Sequence, residues 1–146
     1  LLSNNIGSMT LDDFIQDNQS LSSKGILRGL HFQKEPHAQG KLVRVLQGSV
    51  LDVAVDIRSN SITYCQHVAI ELNGSNNTMF YIPPGFAHGF LTLEDNTIVT
   101  YLVKGKYNPS REKSIVWKDI PHLKTIILSN CKESELVISE KDNEGK

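Results

Sequence analysis

Val50-Leu51-Asp52-Val53-Ala54-Val55-Asp56-Ile57-Arg58 is the run that decides the fold. Its odd positions, Leu51, Val53, Val55 and Ile57, are all apolar, and its even positions include Asp52, Ala54 and Asp56. Successive side chains of a strand point to opposite faces, so a period of two sets an apolar row on one face and two carboxylates on the other. Exposure to water is the simple reading of the carboxylate face. The neighbouring segments decide whether that reading holds.

Outward from this run the chain repeats one pattern. Upstream, Gln47-Gly48-Ser49 is a turn, Lys41 to Leu46 is a strand, Lys34 to Gly40 is a loop holding Pro36, and Ile26 to Gln33 is another strand. Ser20 to Gly25 reads as a loop, and Phe14-Ile15-Gln16-Asp17-Asn18 as a short apolar start followed by polar groups. Residues 1–13 are polar and weakly patterned, either a loop or the tail of a helix.

Downstream, Ser59-Asn60-Ser61 turns the chain, and Tyr64 to Leu72 reads as a strand ended by the dense turn signal Asn73-Gly74-Ser75-Asn76-Asn77. Met79 to Ile82, Phe86 to Leu93 and Thr97 to Val103 follow as strands. Ile115-Val116-Trp117 and Thr125 to Leu128 read as short strands, and Glu133 to Lys146 as a polar tail over the surface. Many short strands punctuated by Gly, Asn and Pro predict an all-β sandwich or barrel. The 146 residues, without repeat or linker, are read as one domain, 1–146.

Composition narrows the function. With 15 basic and 16 acidic side chains the net charge is -1, which gives no electrostatic reason for binding nucleic acid or a membrane surface. There is no apolar run long enough to span a bilayer and no signal-peptide pattern. Cys65 and Cys131 lie far apart in no metal spacing, and are expected to be reduced thiols of a cytoplasmic protein.

Several polar groups stand inside apolar strands: His31, Lys41, Asp52, His88 and Tyr101, each from a different segment. In a barrel the inward faces of different strands converge on one cavity. Singly, each has an ordinary structural explanation, such as a hydrogen-bonded core histidine or a packed strand tyrosine. Together they read as an active site. No nucleophile elbow or phosphate-cradling glycine loop occurs. Pro83-x-Gly85-x-x-His88 resembles the second motif of the cupins, but the H-x-H pair of metal-binding cupins is missing, because His31 is followed by Phe32-Gln33. His37 has the wrong spacing, so a tight metal site would lack donors and none is expected. What remains is acid–base chemistry: a histidine, a lysine and a tyrosine suit proton abstraction beside a carbonyl.

Three long motifs carry a closer resemblance. Leu27-Arg28-Gly29-Leu30-His31-Phe32-Gln33, Val50 to Arg58, and Ile82-Pro83-Pro84-Gly85-Phe86-Ala87-His88-Gly89-Phe90 together resemble the dTDP-4-dehydrorhamnose 3,5-epimerase family. Gln16-Asp17-Asn18-x-Ser20, Tyr107-x-Pro109-x-x-Glu112, Trp117-x-Asp119 and Ser139-x-Lys141-Asp142 fit in the same order. The resemblance covers roughly Phe14 to Asp142. It implies a cupin-like double-stranded β-helix, a jelly-roll barrel with short peripheral helical segments. It also implies a cofactor-independent epimerase of a dTDP-4-keto-6-deoxy-hexose, active as a homodimer.

By the same resemblance His31 is the base that takes the C3 and C5 protons. Asp142 is its carboxylate partner, Tyr101 the acid on the opposite face and Lys41 the group that stabilises the enolate. His88 and Asp52 are polar residues of the same cavity. Gln16, Asn18, Arg28, Glu112 and Lys141 contact the nucleotide-sugar, and Tyr107 stacks on the thymine. Two departures stand out. The family's opening strand with a D-x-R-G motif is not in this sequence, so the chain is read as lacking that strand. Ile127-Leu128 stands where the family usually has Trp-Pro. A C3-only epimerase and a non-catalytic nucleotide-sugar-binding cupin remain alternatives. One geometric demand follows: strict alternation puts Arg28 and His31 on opposite faces, so both reach the site only if the strand bulges near Gly29 or Arg28 reaches round its edge.

Overall fold

The computed structural model describes residues 9–145, so the reading of residues 1–8 lies outside the described part. Among the described residues ten strands form two sheets. They are β1 (Phe14–Ser22), β2 (Ile26–Gln33), β3 (Gly40–Gln47), β4 (Ser49–Asp56), β5 (His67–Asn73), β6 (Met79–Ile82), β7 (Phe86–Thr92), β8 (Thr97–Lys104), β9 (Glu112–Ser114) and β10 (Val137–Ile138). One sheet has the order β1-β8-β3-β6. The other runs β10-β2-β7-β4-β5, with β9 also paired to β2. Two short helices, α1 (Leu123–Asn130) and α2 (Glu140–Glu144), follow the barrel strands. This is the expected all-β, cupin-like jelly roll with short helical segments at its periphery.

The alternation in β4 explains how the layers assemble. Val50 and Ala54 pack with Val43, Val45, Leu72, Ile82, Phe90 and Val99 between the two sheets. Leu51, Val53 and Val55 point the other way, into a second cluster with Leu27, Leu91, Trp117, Leu123 and Ile127. The sheet is therefore covered on both faces, and all eight residues of β4 are buried. The carboxylate face does not meet water: Asp52 and Asp56 are 0% and 1% exposed. Buried carboxylates need partners, and each has a distinct set.

Asp56 accepts hydrogen bonds from the Arg58 side chain (2.9 and 2.7 Å), the Arg58 amide (3.0 Å) and the hydroxyls of Ser61 and Thr63 (both 2.6 Å). The Arg58 guanidinium, helped by the two hydroxyls, holds the Asp56 carboxyl far below the usual carboxylate range despite burial. This clamp also corrects the expected strand over Tyr64 to Leu72. The chain from Ser61 to Gln66 is folded back on Asp56 by turn hydrogen bonds, including Cys65 N–H to Asp56 O, and β5 starts only at His67.

Four other expectations are corrected. Ser20 to Gly25 is not all loop, because β1 pairs with β8 through Ser22↔Thr97. Thr125 to Leu128 lies in α1, not in a strand. Its β-branched residues suggest a strand locally, but Leu123 and Ile127, four apart, form one buried helix face, and tertiary burial outweighs propensity. Ile115-Val116-Trp117 is likewise not a strand: β9 ends at Ser114, and Trp117 opens a 3-10 turn with its ring 1% exposed. The tail from Glu133 does not merely coat the surface, since β10 adds to β2 in parallel and Asp142 of α2 is buried. Cys65 and Cys131 are free thiols, as expected.

Candidate active site

The site is built on a defect in β2. Arg28 pairs with Phe90 and His31 with His88 on β7, so three steps along β2 match two along β7. This is the bulge that the positions of Arg28 and His31 demand. Two glycines permit it. A Cβ on Gly29, whose φ is +103°, would lie 2.6 Å from the His88 carbonyl oxygen, and a Cβ on Gly89 would lie 2.4 Å from that of Arg28. Only residues without a side chain let the strands approach so closely.

The other edge of β2 is interrupted as well. β10 covers Ile26 and Leu27, and β9 covers His31 to Gln33. Asp142 enters between them from α2. Ser139 caps that helix by accepting the Asp142 amide, and Gly145 ends it in the left-handed conformation. Asp142 Oδ2 accepts the Gly29 amide at 3.1 Å, and Oδ1 lies 2.6 Å from His31 Nε2. Burial alone would raise the Asp142 carboxyl, but the Gly29 amide and the His31 ring hold it below its ordinary value. An ionised carboxylate only accepts, so Nε2 of His31 carries the proton. In that tautomer Nδ1 is the nitrogen that can accept a proton.

His88 has its own carboxylate. Its Nε2 lies 3.0 and 3.1 Å from the two oxygens of Asp52. Burial lowers the His88 pKa, against the pull of Asp52, and the neighbouring Lys41 and His31 lower it further. His88 is therefore neutral, donates Nε2–H to Asp52, and presents Nδ1 as an acceptor.

Arg28, His31, Lys41, His88, Gly89, Phe90 and Tyr101 line one cavity of ≈ 120 Å³. Five of these are polar residues singled out from the sequence. Lys41 comes from β3 and Tyr101 from β8, so both belong to the sheet opposite His31. Burial pushes the Lys41 ammonium down, opposed by the carboxylates of Asp52 and Glu112. Burial pushes the Tyr101 phenol up, opposed by Arg28, so it keeps its proton at neutral pH. The cavity thus sets a base on one sheet against a protonated acid on the other, with an ammonium nearby.

The remaining expected residues lie around this centre. Asp52 is enclosed beneath His88 and is not on the cavity wall. Asn18 pairs opposite Tyr101 across β1 and β8 and accepts from Gln16 Nε2 at 2.9 Å. Glu112 forms an ion pair with Lys141 and lies 3.5 Å from the Tyr107 hydroxyl. That ion pair raises the Lys141 pKa. Gly89 and Phe90 were not singled out as cavity walls, although they adjoin His88 in the third motif. Among the described residues, no three His, Cys, Asp or Glu side chains are grouped so as to hold a metal ion.

Residues 3–146 match the sequence profile of dTDP-4-dehydrorhamnose 3,5-epimerase. This chain belongs to that family. It is 48% identical over 133 residues to the dTDP-4-dehydrorhamnose 3,5-epimerase of Methanothermobacter thermautotrophicus, covering 91% of this chain and 70% of that protein. It is 52% identical over 106 residues to the enzyme of the same name from Salmonella typhimurium, covering 73% of this chain and 58% of that one. Among solved structures, a dTDP-6-deoxy-D-glucose-3,5-epimerase from Legionella pneumophila in complex with dTDP-4-keto-L-rhamnose superposes with a TM-score of 0.80. The two are 44% identical, with 91% of this chain and 68% of that one covered. This epimerase-family chain spans 58% to 70% of the length of four such relatives.

Proposed function

We propose that this chain epimerises C3 and C5 of dTDP-4-dehydro-6-deoxy-D-glucose, giving dTDP-4-dehydro-L-rhamnose. The observation that carries this reading is the His31–Asp142 pair set across one cavity from protonated Tyr101, with Lys41 on the wall. The C4 ketone acidifies the hydrogens on both neighbouring carbons. Nδ1 of His31 removes one of them, and the electron pair moves onto O4. The Lys41 ammonium stabilises that enolate oxygen. Tyr101 then protonates the carbon from the opposite face, which inverts it; His31 gives its proton to water and the Tyr101 phenolate takes one from water before the cycle repeats at the second carbon. No electron leaves the substrate, so the sequence of steps needs no redox partner or metal.

The outer residues fit the rest of such a substrate. Arg28 reaches the cavity with a guanidinium fork that suits a diphosphate. Tyr107, 52% exposed, offers an aromatic face to the thymine. Gln16, Asn18, Glu112 and Lys141 supply polar contacts along the nucleotide-sugar. The named Legionella relative holds a dTDP-keto-sugar, which supports this class of substrate. Proton NMR of the keto-sugar incubated with the protein tests the reading. Inversion at both carbons is expected; inversion at C3 alone points to the narrower epimerase, and an unchanged sugar to a binding protein.

The protein acts as a cytoplasmic homodimer of one-domain chains in this reading. Free Cys65 and Cys131 support a reducing compartment. The outward face of the four-stranded sheet supports pairing, because Leu21 and Met79 there are 65% and 45% exposed. Sedimentation at the mass of a single chain would contradict the dimer.

A further inference from the structure

Gln33 ends the motif that carries Arg28 and His31, yet the chemistry above gives it no part. It is 7% exposed, and all its hydrogen-bonding groups point at backbone. Its Nε2 donates to the carbonyl of His37 at 2.7 Å and to that of Lys106 at 3.2 Å. Its Oε1 accepts the amide of Asn108 at 2.7 Å. The groups it holds on Lys106 and Asn108 are those on either side of Tyr107. Both hydrogens of the carboxamide are used, and no water or hydrophobic side chain reproduces that pattern.

The same carboxamide joins two loops. His37 belongs to the segment between β2 and β3, and Lys106 and Asn108 to the segment between β8 and β9. Gln39 adds a parallel tie, donating to the Gly105 carbonyl at 3.0 Å. On the backbone Gln33 also pairs with Glu112, whose carboxylate lies 3.5 Å from the Tyr107 hydroxyl. Tyr107 itself has little packing to fix it, being more exposed than buried. Its position depends on the peptides that flank it.

We infer that Gln33 is a positioning residue for nucleotide-base recognition: it fixes the loop that presents Tyr107 and takes no part in proton transfer. This rests on the proposed function, in which Tyr107 stacks on the thymine. Loss of the carboxamide releases three backbone groups and lets the aromatic ring wander. Binding of the nucleotide weakens, while the His31–Asp142–Tyr101 geometry at the carbon centres stays. The signature is a rise in KM with little change in kcat.

The test measures dTDP binding by calorimetry and steady-state kinetics on the full-length protein, for Gln33→Leu, Gln33→Glu, Tyr107→Ala and Gln33→Leu combined with Tyr107→Ala. Gln33→Glu keeps the acceptor for Asn108 but loses both donors, and serves if the leucine variant does not fold. Emission of the single, buried Trp117 reports folding. For Gln33→Leu, dTDP affinity is expected to fall about 10-fold and KM to rise similarly, with kcat within about 3-fold, as for loss of binding shared by ground and transition states. In the Tyr107→Ala background the same substitution is expected to add little, because the two act through one contact. Unchanged dTDP affinity in a folded Gln33 variant overturns the inference, as does a full additional loss in the Tyr107→Ala background. Failure of the unsubstituted protein to bind dTDP overturns the functional reading instead.

Discussion

Replacement of His31 by alanine is expected to abolish exchange of the C3 and C5 hydrogens with solvent and to lower kcat by roughly 10²- to 10⁴-fold, the range for a general base. The argument is geometric. The His31 ring is oriented by the Asp142 carboxylate, with Nε2 bonded to it at 2.6 Å, and stays open to the cavity. His88 lines the same cavity, but burial keeps it neutral, and its own Nε2 is committed to Asp52. The His88 ring also has a carboxylate, Asp52, but His88 is enclosed, 5% exposed against 30% for the His31 side chain, and burial with the nearby Lys41 ammonium opposes its protonation. Removing His31 also takes one of the partners of the buried Asp142 carboxylate, leaving the Gly29 amide and the Ser139 hydroxyl, so His31→Asn, which keeps a donor, is the companion variant. Both are expected to retain dTDP binding, since the nucleotide contacts lie elsewhere. Exchange at the wild-type rate in either variant would move the base to another residue.

Tyr101→Phe is expected to separate exchange from inversion. The phenyl ring still fills its place in the wall, and only the hydroxyl is lost. His31, whose side chain is 30% exposed, can still remove a proton, trade it with water and return it to the same face. The recovered substrate therefore gains solvent deuterium, while inverted product forms about 10²-fold or more slowly, as for loss of a general acid. The raised pKa of Tyr101 is consistent with this, since an acid must hold its proton at working pH. Inversion at an undiminished rate would show that water or another group reprotonates the carbon. Loss of exchange together with inversion would show that Tyr101 helps to remove the proton.

Much of the architecture was legible because β4 states it twice, once in its apolar row and once in its carboxylates. The alternation predicts a strand with two distinct faces, and the structure has one face in each core. Local pattern could not show that the second face was also enclosed. That depends on the four-stranded sheet closing over Asp52 and Ala54, a long-range contact without a local signal. The bulge at Gly29 was foreseeable because two residues that must share a site stood at the wrong parity.

The C-terminal part was misread for the opposite reason. Thr125, Ile126 and Ile127 favour strands locally, yet the surface they cover asks for a helix with Leu123 and Ile127 on one side. Likewise Asp142 lies in a polar run, and nothing in its composition says that it inserts between β10 and β9. Its importance came from the resemblance of Ser139-x-Lys141-Asp142 alone; the structure adds the reason, a gap in the pairing of β2 that the carboxylate fills. Gln33 ends the motif that holds Arg28 and His31, without a local sign of what it holds. Its partners lie 73 and 75 positions downstream at Lys106 and Asn108, beyond the reach of any local pattern.

The central claim is that protons leave from the His31 face and arrive from the Tyr101 face. A single turnover in deuterium oxide, read by proton NMR and mass spectrometry of the inverted sugar, tests it most directly. Two separate groups predict product carrying one solvent deuterium at C3 and one at C5 from the first turnover onward. Inverted product that keeps the substrate's own hydrogens at those carbons would mean that one group carries the proton across, and would contradict the account.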